Sequence, residues 1–322
     1  MNTLFEVKNL QALLKTRRGM LAVTRNVSFS LKKNEILGMA GESGCGKTMT
    51  MLALSGLLPA GSAIRCKSLT LAGHSFDPAC ENDIKKIRGS GISYIFQEPS
   101  SYLNPLLSIG NQLTETIQWN HRSLSRKIVR QGACKILEDV GLAPALDFFK
   151  RYPHELSGGM NQRAMIGLAL AGNPKVLIAD EPTTALDLIT QQSIVDLILS
   201  LVKKRGLSVL WVSHDISLME NFVDTLAVMY AGDIVEIGPA RDVADHPRHP
   251  YTRALIRCLP ERLKDKRFQP IPGKVAALEP DRKGCAYFPR CPFGAPECLA
   301  AEPRLTEIKT NHKIKCCLAH II

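Results

Sequence analysis

The sequence predicts an α/β fold with a mostly parallel core sheet. Short apolar runs alternate with helical patterns along the chain, and one run leads into a glycine-rich segment that a helix follows. Two later apolar runs end in charged or polar residues, at Asp180 and at Ser213. Strands that alternate with helices in this way typically form a parallel sheet with helical crossovers.

The composition is that of a globular protein. The 322 residues are 45% hydrophobic and 22% charged, which allows a sizeable core in one large domain or two ordinary ones. The net charge of +11 would suit nucleic acid, an anionic membrane surface or phosphorylated ligands, but no aromatic residues interleave with the basic runs. No apolar run reaches the roughly 18 residues of a membrane helix, and MNTLFEVKNL lacks a signal-peptide pattern. A cytoplasmic protein is the default expectation. The charge alone decides nothing about partners, and nucleic acid is not among the partners that we expect from the motifs described below.

The predicted elements follow one another from an antiparallel start to a proline-punctuated end. Closely spaced prolines begin after about residue 240, where we place a boundary between a domain of residues 1–240 and an extension of residues 241–322. In chain order, the elements are antiparallel strands at 4–10 and 27–31, an apolar strand at 35–40, a helix at 48–58, a helical region at about 98–155, an apolar strand at 176–179, a helix at 187–204 and an apolar strand at 208–212.

The segment GESGCGKT, residues 41–48, matches the pattern G-x-x-x-x-G-K-[ST] in full. Glycines let backbone N–H groups turn inward around an anion, and the helix that follows directs its positive end at it. In such a loop the Lys47 ammonium reaches the β- and γ-phosphates and the Thr48 hydroxyl coordinates Mg²⁺. Because a strand precedes the pattern and a helix follows it, a nucleoside triphosphate site is favoured over a chance glycine-rich turn.

Two acids end the apolar strand at residues 176–179. A parallel sheet presents catalytic groups at the carboxyl ends of its strands. Asp180 is placed to hold Mg²⁺, directly or through water, and Glu181 to orient or deprotonate an attacking water. The alternative is a pair of acids that only caps a turn or a helix, and the glycine-rich loop elsewhere in the chain weighs against it.

The segment LSGGMNQR, residues 156–163, opens another helix. A Ser-Gly-Gly cap leaves N–H groups unpaired at the positive end of a helix, which makes a second anion site. The simplest explanation of two phosphate sites so far apart in sequence is that they serve different nucleotides. Two chains facing head to tail would each lend this helix end to the nucleotide of the other.

Together these motifs resemble those of the ATP-binding-cassette (ABC) family. GESGCGKT and VLIADE resemble its Walker A and Walker B motifs, and LSGGMNQR resembles its signature motif. Gln97 in YIFQEP resembles the Q-loop glutamine, Ala185-Leu186-Asp187 the D-loop, and His214 in SHD the switch histidine. The resemblance implies a P-loop NTPase fold, the ABC nucleotide-binding domain, with a mostly parallel core sheet, an antiparallel β subdomain, a helical subdomain over about residues 98–165 and a small Cys-rich C-terminal extension.

The resemblance also implies an ATPase that uses ATP and Mg²⁺. Glu181, His214 and Gln97 would be catalytic, and Thr48, Gln97 and Asp180 would hold Mg²⁺. Asp187 would help to cross the dimer seam. Ser157, Gly158 and Gly159 would contact the γ-phosphate of the ATP bound by the partner. The nucleotide-binding residues implied in this way are Gly41, Ser43, Gly44, Cys45, Gly46, Lys47, Thr48, Met49, Gln97, Asp180, Ser157, Gly158 and Gly159.

The sequence departs from the family at the position that usually stacks on adenine. An aromatic residue is expected between the first strands, but residues 11–25 contain none. Guanidinium and thioether groups both pack on ring faces, which makes Arg18 and Met20 the candidates for covering the base.

Five of the ten cysteines lie in the last 38 residues of the chain, in a segment with few apolar residues. For such a segment we expect a metal or cluster that stabilises the fold, and four thiolates can hold tetrahedral Zn²⁺ or an iron–sulfur cluster. The candidate ligands are Cys285, Cys291, Cys298 and Cys316, with Cys317 as the alternative fourth ligand. Free buried cysteines are the other possibility.

The cysteine pattern, His249-Pro250-Tyr251-Thr252 and Ile271-Pro272-Gly273 together resemble the ATPase subunits of oligopeptide/dipeptide and nickel ABC importers. This resemblance favours a 4Fe–4S cluster over Zn²⁺. It implies a peripheral subunit on the cytoplasmic face of the bacterial inner membrane, coupling ATP hydrolysis to uptake of peptides or a related small solute.

The partners implied are a sister ABC ATPase subunit in a heterodimer, two membrane permease subunits and an extracytoplasmic substrate-binding protein. The alternative functions are a non-transport ABC ATPase acting on nucleic acid or ribosomes, and an importer of nickel or metal chelates. Proteins of the former kind usually carry two fused cassettes or a long coiled-coil insert, and this sequence contains neither.

Overall fold

The structure, a computed structural model, describes residues 3–17, 19–184, 186–262, 270–276 and 282–319. The chain separates into two compact units. Unit 1 comprises residues 1–81 and 211–322, and unit 2 comprises residues 82–210. Both ends of the chain therefore belong to unit 1.

The first part of unit 1 contains an antiparallel sheet organised around one long strand, together with one strand of a second sheet (36–40) and one helix (47–54). Its elements are β1 (Thr3–Thr16), β2 (Gly19–Ala22), β3 (Val27–Lys32), β4 (Ile36–Ala40), α1 (Lys47–Leu54), β5 (Ala63–Arg65), β6 (Ser68–Leu71) and β7 (His74–Phe76). Strand β1 pairs antiparallel with β2, β3, β5 and β6, and β6 pairs antiparallel with β7. Phe5, Val7 and Leu10 of β1 are buried. The predicted antiparallel start of the chain is confirmed.

Unit 2 combines parallel strands with a group of packed helices. Its elements are α2 (Glu81–Ile87, which begins at the last residue before the unit), β8 (Ile92–Ile95), α3 (Pro99–Tyr102), α4 (Ile109–Asn120), α5 (Arg126–Asp139), α6 (Ala145–Lys150), α7 (Gly158–Leu170), β9 (Val176–Asp180), α8 (Leu188–Arg205) and β10 (Ser208–Val212, in which the unit ends). Strands β8 and β9 run parallel, and every residue of β9 is buried. A continuous apolar strand is expected where both faces of a sheet are covered.

The polar region predicted to be helical forms α4, α5 and α6, which pack on one another and on α7. Ile109, Leu113 and Ile117 line the buried side of α4 at a spacing of four residues. This spacing places them on one face of the helix. The Ser108 hydroxyl caps α4 by accepting a hydrogen bond from the Asn111 N–H at 3.3 Å.

The second part of unit 1 extends a sheet that begins with β4. Its elements are α9 (Ile216–Met219), β11 (Thr225–Tyr230), β12 (Asp233–Pro239), α10 (Ala240–Asp245), α11 (Pro250–Arg257), α12 (Glu297–Ala300), β13 (Leu305–Lys309) and β14 (His312–Lys315). Within the unit the strand order is β13-β14-β12-β11-β4. Strands β4 and β11 are parallel, and the remaining neighbours are antiparallel. The C-terminal segment thus adds two strands to the sheet of unit 1.

The described helices are short. The longest of them, α8, has 18 residues, and it ends at Gly206 in a left-handed conformation with φ 65°. Lys203, Lys204 and Arg205 lie in its last turn, where positive charge offsets the negative end of the helix dipole. Across the described ranges, no helix has both the length and the apolarity that a membrane crossing needs.

A buried polar cluster joins the C-terminal segment to β12. The Glu236 side chain is fully buried and accepts hydrogen bonds from the backbone N–H groups of Arg248 and His249, and its Oε1 lies 2.7 Å from His312 Nε2. His249 Nδ1 accepts the Tyr251 N–H at 3.1 Å, so this nitrogen is unprotonated. Burial lowers the pKa of the His249 imidazole to about 4, and the Glu236 carboxylate opposes this effect only in part.

We predict that His249 destabilises the fold in mild acid. Its pKa is about 6.5 in an unfolded chain and about 4 in the fold, so the unfolded state binds more protons between these values. Stability that is present above pH 6.5 should therefore fall by up to about 3 kcal/mol as the pH drops to 4. Urea midpoints at pH 7, 6 and 5 measure this loss. The control is His249→Asn, which keeps a hydrogen-bond acceptor at the helix cap but does not titrate in this range, so its urea midpoint should depend less on pH. An equal pH dependence of the midpoint in both proteins would show that His249 is not the cause.

Candidate functional site

The glycine-rich loop of unit 1 connects the end of β4 to the start of α1, as predicted. Its backbone lies very close to two other backbone segments. A Cβ on Gly41 would lie 2.3 Å from the Met229 carbonyl oxygen, and one on Gly46 would lie 2.6 Å from the Val23 carbonyl oxygen. Gly46 also has φ 107°, which L side chains rarely adopt. At these two positions only glycine fits the loop without displacing the backbone.

Lys47 turns its ammonium group onto the loop itself. Nζ donates hydrogen bonds to the carbonyl oxygens of Gly41 at 2.8 Å and Glu42 at 3.2 Å, and the residue is 6% exposed. Cys45 is fully buried beneath the loop, and burial raises the pKa of its thiol although Lys47 opposes this. Cys45 is therefore an unreactive thiol that packs the loop.

The start of α1 has the electrostatic character of an anion site. Gly46 provides no side-chain hydrogen bond to cap the helix, and no acidic residue occurs in the first turn. Ser43, Gly44 and Thr48 are exposed at this end, and Met49 is half-buried. Backbone N–H groups at a helix start and the helix dipole both favour a bound anion.

The two acids of unit 2 have different surroundings. Asp180 is 4% exposed, and its Oδ2 accepts a hydrogen bond from the Tyr94 hydroxyl at 2.6 Å. Burial, and then the charge of Asp180, raise the pKa of Tyr94, so the phenol remains a donor. Glu181 has φ 46°, a left-handed conformation that is uncommon for a non-glycine residue. The change in backbone direction gives the two neighbouring carboxylates different environments.

Hydrogen bonds to one oxygen hold the Glu181 carboxylate. Glu181 Oε2 accepts from Thr184 Oγ1 at 2.8 Å and from Gln97 Nε2 at 3.3 Å. The structure therefore brings together Gln97, Asp180 and Glu181, as the motifs predict. Tyr94 and Thr184 are the members that motif reasoning missed, because nothing in their spacing identifies a hydrogen-bond partner of an acid.

The signature segment caps α7 at an exposed helix end. The Ser157 hydroxyl accepts the Met160 N–H at 3.3 Å, and Ser157 and Gly158 are exposed. A Cβ on Gly158 would meet nothing within 4 Å, whereas one on Gly159 would lie 2.6 Å from Thr190 Cγ2. Gly159 is therefore needed for packing against Thr190 inside unit 2. At Gly158, by contrast, the surface of the helix end is accessible to another molecule.

The start of α8 is built around Asp187. Its carboxylate accepts the Thr190 N–H at 3.0 Å and the Thr190 hydroxyl at 2.7 Å, and these hydrogen bonds lower the pKa of Asp187. Asp187 is thus the N-cap of the helix that follows the acids. Ala185, the first residue of the predicted D-loop, lies outside the described residues.

The switch segment of unit 1 lies beside the strand that enters the glycine-rich loop. The Ser213 N–H donates to the Met39 carbonyl oxygen at 3.2 Å, and the Asp215 side chain caps α9 by accepting the Leu218 N–H. His214 between them is exposed. Of the two candidates for covering adenine, Met20 on β2 is 42% exposed and Arg18 lies outside the described residues.

The predicted site residues fall into two sets. Unit 1 contains the glycine-rich loop and His214, and unit 2 contains Gln97, the two acids and the signature segment. The predicted Mg²⁺ ligands are divided in the same way, with Thr48 in unit 1 and Gln97 and Asp180 in unit 2.

The C-terminal cysteines influence one another electrostatically. Burial raises the pKa of the Cys285 thiol to about 11, and Cys316, Cys298 and Cys317 add to the effect. Burial and Cys298 likewise raise the pKa of Cys291. In the described part of the chain, however, no three His, Cys, Asp or Glu side chains form a group able to hold a metal ion. The donor chemistry suits a metal, but the side chains as they stand do not form a coordination shell.

Two family models match the chain. The model described as ABC transporter matches residues 24–184. The model described as oligopeptide/dipeptide transporter, C-terminal region, matches residues 235–298. The first match includes the glycine-rich loop, the signature segment and the acids, and the second includes three of the five C-terminal cysteines.

Curated relatives match over most of their length. The oligopeptide transport ATP-binding protein AppD of Bacillus subtilis is 39% identical over 321 residues, which cover 99% of this chain and 97% of the relative. The dipeptide transport ATP-binding protein DppD of Escherichia coli is 39% identical over 291 residues, covering 90% of this chain and 89% of the relative. Among solved structures, a dimeric ATP-binding cassette, MJ0796, bound to ADP and Pi in a post-hydrolysis state, matches with a TM-score of 0.64 and 26% identity. That match covers 74% of this chain and 99% of the cassette.

We predict that alanine is tolerated much better at Gly44 than at Gly46. Both glycines have positive φ, which costs an alanine about 1–2 kcal/mol at either position. A Cβ on Gly44 meets nothing within 4 Å, whereas one on Gly46 meets the Val23 carbonyl oxygen. Such a clash adds about 1–3 kcal/mol of destabilisation. Urea unfolding of Gly44→Ala and Gly46→Ala compares the two directly, and equal midpoints would show that the loop does not have this close packing.

Proposed function

Because the chain belongs to the ABC transporter family, we propose that it is the ATP-binding subunit of an importer that couples ATP hydrolysis to uptake of di- and oligopeptides. One observation carries this proposal: an ABC transporter region and a peptide-transporter C-terminal region occur in succession on one chain. The geometry within each unit is compatible with this role. The glycine-rich loop supplies an anion site, and the buried strand β9 ends in two differently held carboxylates.

In the proposed reaction, unit 1 binds the triphosphate. Lys47 and the N–H groups at the start of α1 would contact the phosphates, and Thr48, Asp180 and Gln97 are the residues that we assign as Mg²⁺ ligands. The Tyr94 hydroxyl orients the Asp180 carboxylate. When bound, Mg²⁺ would offset the negative charge that develops on the phosphates.

Glu181 is the proposed acceptor for the attacking water. Thr184 and Gln97 both donate to Glu181 Oε2, and these hydrogen bonds hold the carboxylate that we assign to orient or deprotonate a water molecule. Through this hydrogen bond, Gln97 links the position of the Glu181 carboxylate to the segment that enters the helical region. We assign His214 to contact with the γ-phosphate and to steadying the same water.

The proposed working assembly pairs two cassettes head to tail. Ser157, Gly158 and Gly159 would contact the γ-phosphate held by the sister subunit, and the exposed end of α7 supports this role. Asp187 would lie near the seam. The further partners we propose are two membrane permease subunits and an extracytoplasmic substrate-binding protein, with this chain bound peripherally at the cytoplasmic face of the membrane. Within this assembly we keep residues 1–240 as the ATPase domain and residues 241–322 as its extension.

The C-terminal cysteines are the proposed site of a 4Fe–4S cluster or Zn²⁺. The Cys285 N–H donates to the Cys298 carbonyl oxygen at 2.7 Å, which supports a shared location, and Cys285, Cys291 and Cys298 are the core of the proposed donor set. Cys316 and Cys317 remain alternatives for the fourth ligand. When bound, either group would supply structural cross-links between thiolates in a segment with few apolar residues.

Uptake in a deletion strain tests the function. A strain that lacks this gene should lose accumulation of labelled di- and oligopeptides, and the wild-type gene should restore it. Nickel uptake is the matched control and should be unchanged. Loss of nickel uptake with normal peptide uptake would instead assign the protein to metal import, and co-purification with nucleic acid without permeases would contradict a transport role.

We predict that Glu181→Gln lowers the ATPase rate of the assembled transporter by at least about 100-fold while ATP still binds. The amide keeps the shape of the side chain but cannot accept a proton from water. Phosphate release and binding of a fluorescent ATP analogue measure the two properties. Glu138→Gln makes the same change at an exposed position of unit 2 and should leave the rate unchanged. A near-normal rate in Glu181→Gln would remove Glu181 from its assigned role.

We predict that anaerobically purified protein absorbs broadly near about 400 nm if the tail binds an iron–sulfur cluster. Cys298→Ser should abolish the absorbance and the bound iron. Cys134→Ser, at a half-buried cysteine of α5, should retain both. A colourless protein with one equivalent of zinc would favour the zinc alternative, and a protein that binds neither metal would leave the thiols as packing residues.

A further inference from the structure

Two tail segments contact Glu42, one residue of the glycine-rich loop. Every polar group of Glu42 has a partner: its N–H donates to the Tyr251 hydroxyl at 3.0 Å, its carbonyl accepts from Lys47 Nζ, and its carboxylate is held by Arg290. Tyr251 belongs to the His-Pro-Tyr-Thr motif, and Arg290 directly precedes Cys291. All of these residues lie in unit 1.

The Arg290 side chain is held rigidly. It is 4% exposed, and its NH1 and NH2 contact the two Glu42 carboxylate oxygens at 2.9 and 3.2 Å. Its Nε donates to the Pro272 carbonyl oxygen at 2.9 Å, and NH2 also donates to the Ile271 carbonyl oxygen at 3.3 Å. The Ile-Pro-Gly motif therefore orients the guanidinium that pairs with the loop.

Aromatic packing supports the same contact. The guanidinium carbon of Arg290 lies 5.7 Å from the ring centroid of Tyr230, at the end of β11. Tyr230 packs on Tyr251 and Tyr287, with ring centroids 4.6 and 5.2 Å away. An arginine guanidinium is not deprotonated in proteins. The guanidinium is therefore always charged.

This arrangement addresses an electrostatic problem. Glu42 places a carboxylate inside a loop whose N–H groups, lysine and helix end all favour an anion. An unpaired carboxylate there would repel a polyphosphate, and the loop is too tightly packed to move it away. A fork of two hydrogen bonds from a buried guanidinium both neutralises the carboxylate and fixes its direction.

We propose that Arg290 and Tyr251 are positioning residues for nucleotide binding, through which the C-terminal extension holds Glu42 and keeps the glycine-rich loop receptive to a polyphosphate. The proposal rests on the ATP-binding function proposed above. It assigns to the extension a direct effect on nucleotide affinity, which does not depend on whether the neighbouring cysteines hold a metal.

Nucleotide affinity of the full chain tests the proposal, with a fluorescent ATP analogue and Mg²⁺ as the probe. Arg290→Gln leaves Glu42 charged and unpaired, and it should weaken binding about 10-fold. Adding Glu42→Gln removes the repulsion, so the double variant should return to within about threefold of wild type. The defect of Arg290→Gln should shrink as salt rises, because salt screens the carboxylate.

A second buried ion pair of unit 1 supplies the control. Arg282 pairs with Asp233 at 2.8 Å, and their side chains are 11% and 4% exposed. Arg282→Gln should lower the melting temperature about as much as Arg290→Gln while leaving affinity unchanged. Equal loss of affinity in both variants, or no recovery in the double variant, would overturn the proposal by showing that only general stability matters.

If Arg290→Gln fails to fold, two milder variants test the same proposal. Arg290→Lys keeps the charge and loses the fork, so it should bind more tightly than Arg290→Gln and more weakly than wild type. Tyr251→Phe removes only the acceptor for the Glu42 N–H and should weaken binding about threefold. Wild-type affinity in both variants would overturn this proposal but would leave the proposed ATP-binding function intact. A wild-type chain that does not bind the probe would overturn the proposed function as well.

Discussion

The shape of the glycine-rich loop depends on close contact between backbones. Gly41 and Gly46 lie against the carbonyl groups of Met229 and Val23 at distances that no Cβ allows. The loop is thereby pressed onto β11 and onto the segment between β2 and β3. Lys47 can then reach back to the loop carbonyls, and no side chain of the N-cap residue Gly46 caps the start of α1. Stiffness of this kind prepares the site before a ligand arrives, since little ordering remains to be done on binding.

The positions of the candidate site residues could be predicted because each motif is local in sequence. The glycine-rich loop, the acids after β9 and the cap of α7 each depend on neighbouring residues, and the structure places them at the predicted strand and helix ends. Their partners could not be predicted in this way. Tyr94 donates to Asp180 across 86 positions, and Arg290 pairs with Glu42 across 248. Such contacts follow from tertiary packing, which leaves no periodic pattern in the sequence.

The C-terminal segment illustrates the same limit. Its prolines predict turns, and turns are present, but no local pattern shows that β14 returns to pair with β12. The motifs in this segment owe their composition to contacts made elsewhere in unit 1. Tyr251 reaches the glycine-rich loop, the carbonyl groups of Ile271 and Pro272 orient Arg290, and His249 fills a buried position beside Glu236. The extension is therefore part of the surroundings of the loop, which gives a peptide-transporter tail a physical connection to the ATPase.

Whether the glycine-rich loop binds nucleotide can be measured by titrating the purified full chain and its Lys47→Ala variant with Mg-ATP. Loss of the ammonium removes a charged hydrogen-bond donor from the loop, so we expect saturable binding by wild type and at least about 100-fold weaker binding by the variant. Circular dichroism should show that both proteins are folded. Equal affinity of the two folded proteins would mean that the glycine-rich loop is not the nucleotide site, and the account would then be wrong.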